Sequence, residues 1–160
     1  MSSGAIAPST WAAFAANAPD LAAEALALLH QRSGDGVGGF LATVRGDLPP
    51  RIHPVTVGVV DGGLFTFILP SPKRTDLEED GRFALHAHQD PNAPGELALR
   101  GRAIVVTDPA RRAAVAAVWP FTADETYELF ELRLQTVVVG RRPSADDWPP
   151  RYETWSAARA

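Results

Sequence analysis

A chain of 160 residues with 46% hydrophobic and 21% charged side chains has the size and composition of one folded domain, which excludes a disordered or low-complexity chain. Its net charge of −4 gives no reason to expect nucleic acid or an anionic membrane as a partner, so any bound anion needs a local cluster of basic groups. Cysteine is absent, which removes disulfides, thiolate chemistry and cysteine-based zinc sites together.

The start of the chain, Met1 to Ala7, has no basic region ahead of an apolar core, and no apolar run approaches the roughly 20 residues that span a bilayer. The expectation is a soluble cytoplasmic protein with no membrane or nucleic-acid partner. Ser9 or Thr10 is placed to cap a short helix from Trp11, and Pro19 ends that pattern. A second helix from Pro19 and Asp20 sets Leu21, Ala25, Leu28 and Leu29 near one face and stops at Ser33-Gly34. Gly34 to Gly39 reads as a flexible lead-in.

From Phe40 the pattern becomes strand. Phe40 to Arg45 is closed by Gly46-Asp47 and Pro49-Pro50, and Ile52 to Val60 follows with Val55, Val57 and Val59 in alternation. Asp61-Gly62-Gly63 supplies the positive-φ residues of a tight hairpin, and Leu64 to Leu69 returns. Ser71 caps a short helix with Pro72 at its first position, and Gly81 stops it. Arg82 to His88 and Glu96 to Val106 are further strands; in the second, Leu97, Leu99, Gly101, Ala103 and Val105 share a face. Thr107 or Asp108 caps an alanine-rich helix from Pro109. In the last strand, Tyr127 to Val139, Phe130, Leu132 and Leu134 alternate in one register and Val137 and Val139 in the other, which predicts a bulge near Gln135-Thr136. The tail from Arg141 reads as an extended strap rather than a strand.

Consecutive strands joined by hairpins suit a barrel better than a parallel sheet. The fold class is therefore mainly β (α+β): about six antiparallel strands with flanking helices in a single domain. Residues 1–34 form the N-terminal helices, 39–140 the barrel and 141–160 the strap.

The chemistry points to residues 51–77. Ser71-Pro72-Lys73-Arg74 opens a helix, so free backbone N–H groups, a hydroxyl and two cations converge where an anion is favoured. A capped surface helix with solvated cations explains the same residues, with Asp76, Glu78 and Glu79 offsetting the cations against the helix dipole. Arg51 adds a third cation, because pairing about the Asp61-Gly62-Gly63 turn carries it toward the Ser71 end. Arg51 is suited to bidentate phosphate binding and Lys73 to acting as a point charge.

Phe40-Leu41-Ala42-Thr43-Val44-Arg45, Pro50-Arg51-Ile52-His53-Pro54-Val55 and Ser71-Pro72-Lys73-Arg74-Thr75-Asp76-Leu77 together resemble the pyridoxamine 5′-phosphate oxidase-like family, in its small actinobacterial-type form. The resemblance covers about residues 39–107. It implies a split β-barrel that works as a homodimer and binds FMN in a groove between subunits. Arg51, Ser71, Lys73 and Leu77 fall at the spacing of the oxidases' phosphate-binding motif, with Pro72 where they carry another Arg. By the same resemblance His53 and Pro54 border the cofactor, Thr66 and Phe67 flank the flavin, Arg74 adds a cation, and Glu96 stands where the oxidases carry a ring-contacting Gln. The tail from Trp148 to Trp155 lacks the oxidases' Arg- and His-bearing substrate segment, so pyridoxal phosphate synthesis is not expected. The expected function is an FMN-binding oxidoreductase with a small-molecule redox substrate.

Two alternatives stand beside it. The deazaflavin F-420 would want more basic groups along the groove, for which Arg100, Arg102, Arg141 and Arg142 are candidates. A non-enzymatic flavin or haem binder is the other; His86 and His88 share a strand face, as ligands or as plain polar strand residues. No metal site and no nucleophile–base pair is read from the sequence. Trp119, Phe121, Trp148 and Trp155 serve as packing or as cover for an apolar ring.

Overall fold

The computed structural model describes residues 6–30, 37–92 and 94–158. Two short helices come first, α1 (Trp11–Asn17) and α2 (Pro19–Leu29). The Thr10 hydroxyl caps α1 by accepting the Ala13 N–H at 3.2 Å, and Pro19 takes the first position of α2, where a missing N–H costs nothing. Helix α2 ends at Leu29 with His30 as its cap; the expected stop at Ser33-Gly34 lies outside the described residues.

The strands are β1 (Gly38–Thr43), β2 (Arg51–Thr56), β3 (Gly58–Val60) and β4 (Gly63–Ile68), then β5 (Arg82–Ala87) and β6 (Gly95–Val105), and finally β7 (Glu128–Arg141) and β8 (Arg151–Ser156). Helix α3 (Pro72–Glu79) precedes β5, and α4 (Pro109–Ala117) follows β6. One antiparallel sheet runs β2-β1-β5-β6-β7-β4-β3, with β8 also on β7. It curls until the Thr66 hydroxyl on β4 donates to the Thr56 carbonyl at the end of β2, at 2.8 Å. The product is a curled half-barrel with flanking helices.

Two strand expectations need correction. The stretch Ile52–Val60 is not one strand. It breaks at Val57, because β2 pairs with β1 whereas β3 pairs with β4, so the chain changes partner where the barrel is split. The Val57 N–H donates to the Val37 carbonyl at 3.0 Å across the break. The turn itself is as predicted: Asp61 and Gly62 have φ of 45° and 76°. The tail is a strand, not a strap. Residues Arg151–Ser156 pair with Thr136–Arg141 of β7. Trp155 is their one buried side chain, so no apolar alternation announced the strand. The strand count among the described residues is accordingly eight rather than about six.

The predicted bulge is present. Arg100 pairs with Thr136 and Gly101 with Leu134, leaving Gln135 as the extra residue of β7. Phe130, Leu132 and Leu134 before it and Val137 and Val139 after it are all buried in one core, with Phe14, Leu41 and Leu99. A second cluster, Phe65, Phe67, Val115, Trp119 and Leu129, lies under α4 on the other face of β4, which is why every residue of β4 is buried. Among the described residues no helix is long and apolar enough to cross a membrane.

Candidate phosphate-binding groove

Strand alternation on β2 sends Arg51, His53 and Val55 to one face and leaves Ile52 and Pro54 exposed on the other. Helix α3 reaches the first face. Its two buried residues are Asp76 and Leu77, and Asp76 is only 1% exposed. The Asp76 carboxylate accepts the Thr43 hydroxyl at 2.9 Å and the Arg51 Nε–H at 3.0 Å, with the Arg45 Nε at 3.7 Å. Arg51 is thus brought to α3 by a buried carboxylate. The hairpin expected to carry it there pairs only β3 with β4, and β2 leaves to join β1.

Lys73, at the second position of α3, lines a small groove with Pro54, Val55, Thr56, Phe67 and Tyr127. Among the described residues no carboxylate pairs with its ammonium. His53 feels the charge of both cations. Its pKa is lowered from the usual value near 6.5, first by burial and then by Lys73 and Arg51, with Asp76 opposing. Its buried Nε2 has no hydrogen-bond partner. A folded His53 therefore stays neutral where an unfolded one begins to take up a proton. The unfolded chain binds more protons between about 6.5 and the lower folded value, and this contribution to stability falls as pH drops through that window. In an NMR titration His53 is expected to titrate below 6.5, with the midpoint rising in Lys73→Ala; an unmoved midpoint would place Lys73 away from the ring.

The other expected site residues divide. The Ser71 hydroxyl caps α3, accepting the Arg74 N–H at 3.4 Å and donating to the Leu69 carbonyl at 2.9 Å. Arg74 turns to β7, bound to Glu78 at 2.7 Å, Glu128 at 2.6 Å and the Thr126 carbonyl at 3.1 Å. Thr66 is fully buried and its hydroxyl is held by Thr56, while the Phe67 ring packs edge-on to Trp119 at 5.1 Å. Glu96 accepts the Tyr152 hydroxyl at 2.8 Å. Arg102 donates to the Asp80 carbonyl, Arg141 is forked onto Glu24, and Arg142 donates to the Ala145 and Asp147 carbonyls. His86 is bonded to the Ala87 carbonyl at 2.8 Å, and His88 packs edge-on to Phe40.

Of the expected site residues, Pro54, Phe67 and Lys73 line the groove; Arg51 and His53 lie on the face of β2 that meets α3, and Arg74 is turned to β7. Two larger hollows, one beside Gly58 and Trp119 and one between Glu24 and Pro143, are not lined by Lys73. Sequence reasoning took Asp76 only as a charge offsetting the helix-start cations and missed its burial. The only local signal was its place beside Leu77, the single buried apolar residue of α3.

Neither a protein-family model nor a curated protein matches the sequence. Solved structures do. A haem-binding protein from Mycobacterium smegmatis is similar over 82% of this chain, with 23% identity and a TM-score of 0.57; the chain spans 57% of that protein's length. PhzG from Burkholderia lata 383, solved with tetrahydrophenazine-1-carboxylic acid, is similar over 92% of this chain and 88% of its own, with 13% identity and a TM-score of 0.61. A Clostridium acetobutylicum protein of the pyridoxinephosphate oxidase family, related to general stress protein 26, covers 84% of this chain and 92% of its own, with 14% identity and a TM-score of 0.60. The fold is the split β-barrel of the pyridoxamine 5′-phosphate oxidase-like proteins. In this split barrel the groove opens where the sheet is parted, between the end of β2 and the end of β4, with α3 presenting Lys73 to it.

Proposed function

We propose that the groove holds the phosphate of FMN and that the protein is a flavin-dependent oxidoreductase acting as a homodimer, its small redox substrate reaching the flavin from solvent. One observation carries the reading: Lys73 lines the groove with no carboxylate partner among the described residues, and Arg51, held by its Nε–H, is tied to the same helix through Asp76. The donor set suits a phosphate monoester. The Arg51 terminal amino groups bond to no described residue, Lys73 is unpaired among them, and in the first turn of α3, where Pro72 has no N–H and Ser71 caps Arg74, the Lys73 N–H has no intrahelical partner.

When bound, FMN supplies the electron transfer, and the protein supplies binding and orientation. Arg51 offers a fork of two N–H donors, Lys73 a movable charge, and His53 one ring nitrogen that can take or give a hydrogen bond. The C-terminal strand supports a role other than pyridoxal phosphate synthesis. Tyr152 is spent on Glu96, and the Trp155 Nε1–H donates to Asn17 at 2.7 Å.

The test is an absorbance spectrum of the purified protein, repeated after incubation with FMN or riboflavin and desalting. FMN retained and riboflavin released is the expected result. A protein that stays colourless would overturn the reading, and a haem band or a deazaflavin band near 420 nm, an approximate cofactor property, would transfer it to that cofactor.

A further inference from the structure

We infer that Asp76 is a positioning residue: its buried carboxylate fixes the Arg51 guanidinium by the Nε–H and leaves the two terminal amino groups for an anion. The inference rests on the phosphate reading above and names the residue that makes Arg51 a fork rather than a loose charge. Asp76 is 1% exposed, yet its Oδ2 alone takes both the Thr43 hydroxyl and the Arg51 Nε–H, while Oδ1 has no hydrogen-bond partner among the described residues. Arg45, the other cation, stands at 3.7 Å from Oδ1, an ion pair without a hydrogen bond. A carboxylate so placed is costly to bury and is incompletely satisfied, so helix packing alone would be served as well by an apolar side chain beside Leu77. Arg51, by contrast, is 36% exposed, and its long flexible side chain has much rotamer freedom to lose unless something holds it.

The sign of the effect separates positioning from mere presence. A negative charge beside an anion site opposes the anion, so neutralising a bystander Asp76 would tighten phosphate binding. Neutralising a carboxylate that aims Arg51 would weaken it. Asp76→Asn is therefore expected to lower the preference for FMN over riboflavin about tenfold, with riboflavin affinity unchanged, since a lost charge-assisted bond is worth about that factor. In an Arg51→Ala background the same substitution should cause no further loss.

A wild type that binds FMN no more tightly than riboflavin overturns both the clamp and the role of Asp76. A wild type with that preference, kept or increased in Asp76→Asn, overturns the positioning role alone, as does an equal loss of both ligands. Should Asp76→Asn fail to fold, exchange of the Arg51 Nε–H in the wild type decides, its ¹⁵N signal assigned by its disappearance in Arg51→Lys. Slow exchange is expected; exchange as fast as that of the exposed Arg100 would mean that Asp76 does not hold it.

Discussion

Replacing Arg51 and Lys73 together with alanine is expected to weaken FMN binding by more than about 2 kcal/mol, roughly thirtyfold, while riboflavin affinity stays where it was. The two residues come from different elements, β2 and α3, and on the proposed reading each contributes a separate cation to one anion. On that reading, losing one leaves the other to hold a phosphate at reduced strength; losing both leaves only the His53 imidazole and the first turn of α3. Arg74→Ala makes the contrast. Its side chain is engaged by Glu78 and Glu128, so its removal should loosen the contact between α3 and β7 without selecting against FMN. Fluorescence titration with the two flavins measures both, and a double variant that binds FMN as the wild type does would refute the assignment.

The second large effect concerns the sheet. Gly101→Ala should destabilise the fold by about 3 kcal/mol or more, seen as a lower midpoint in urea with an unchanged slope. A Cβ built on Gly101 would come within 1.8 Å of the Arg133 carbonyl oxygen and 2.9 Å of its carbon. These are backbone atoms of a neighbouring strand, so no side chain can rotate away. The demand is for space rather than for an unusual backbone angle, and it arises because Gly101 faces Leu134 beside the bulge. An unshifted midpoint would show that β6 and β7 can part there at no cost.

Which features were legible in the sequence depended on how far their causes reach along the chain. The Asp61-Gly62 turn, the Ser71 cap, the caps at Thr10 and Asp108 (each one of two residues the sequence offered) and the bulge near Gln135 are settled by residues within a few positions, and each was placed from the sequence. The break at Val57 was not, because Val55, Val57 and Val59 alternate without interruption and only the change of partner from β1 to β4 interrupts the strand. Strand β8 escaped for a similar reason: the open edge of β7 makes it a strand, and its own side chains are mostly exposed. Arg51 and Lys73 stood out as cations near a helix start, whereas the carboxylate that aims one of them looked like its acidic neighbours Glu78 and Glu79. Its burial depends on Thr43, 33 positions earlier in the chain. The engagement of Arg74 by Glu128 was invisible for the same cause.

Passing over Gln135, the in-and-out rhythm of β7 is continuous: Leu134 faces inward, Thr136 outward, Val137 inward. The extra residue is therefore not there to keep apolar side chains inside, since a chain one residue shorter would have the same pattern. What it accompanies is a change of neighbour along the strand. Before it, Glu128–Glu131 holds β4; at Leu134 the strand bonds Ser9, and after it Thr136–Arg141 holds β8. As an event in the history of a sequence, one inserted residue leaves every core side chain in place and gives a single strand two successive neighbours on one edge.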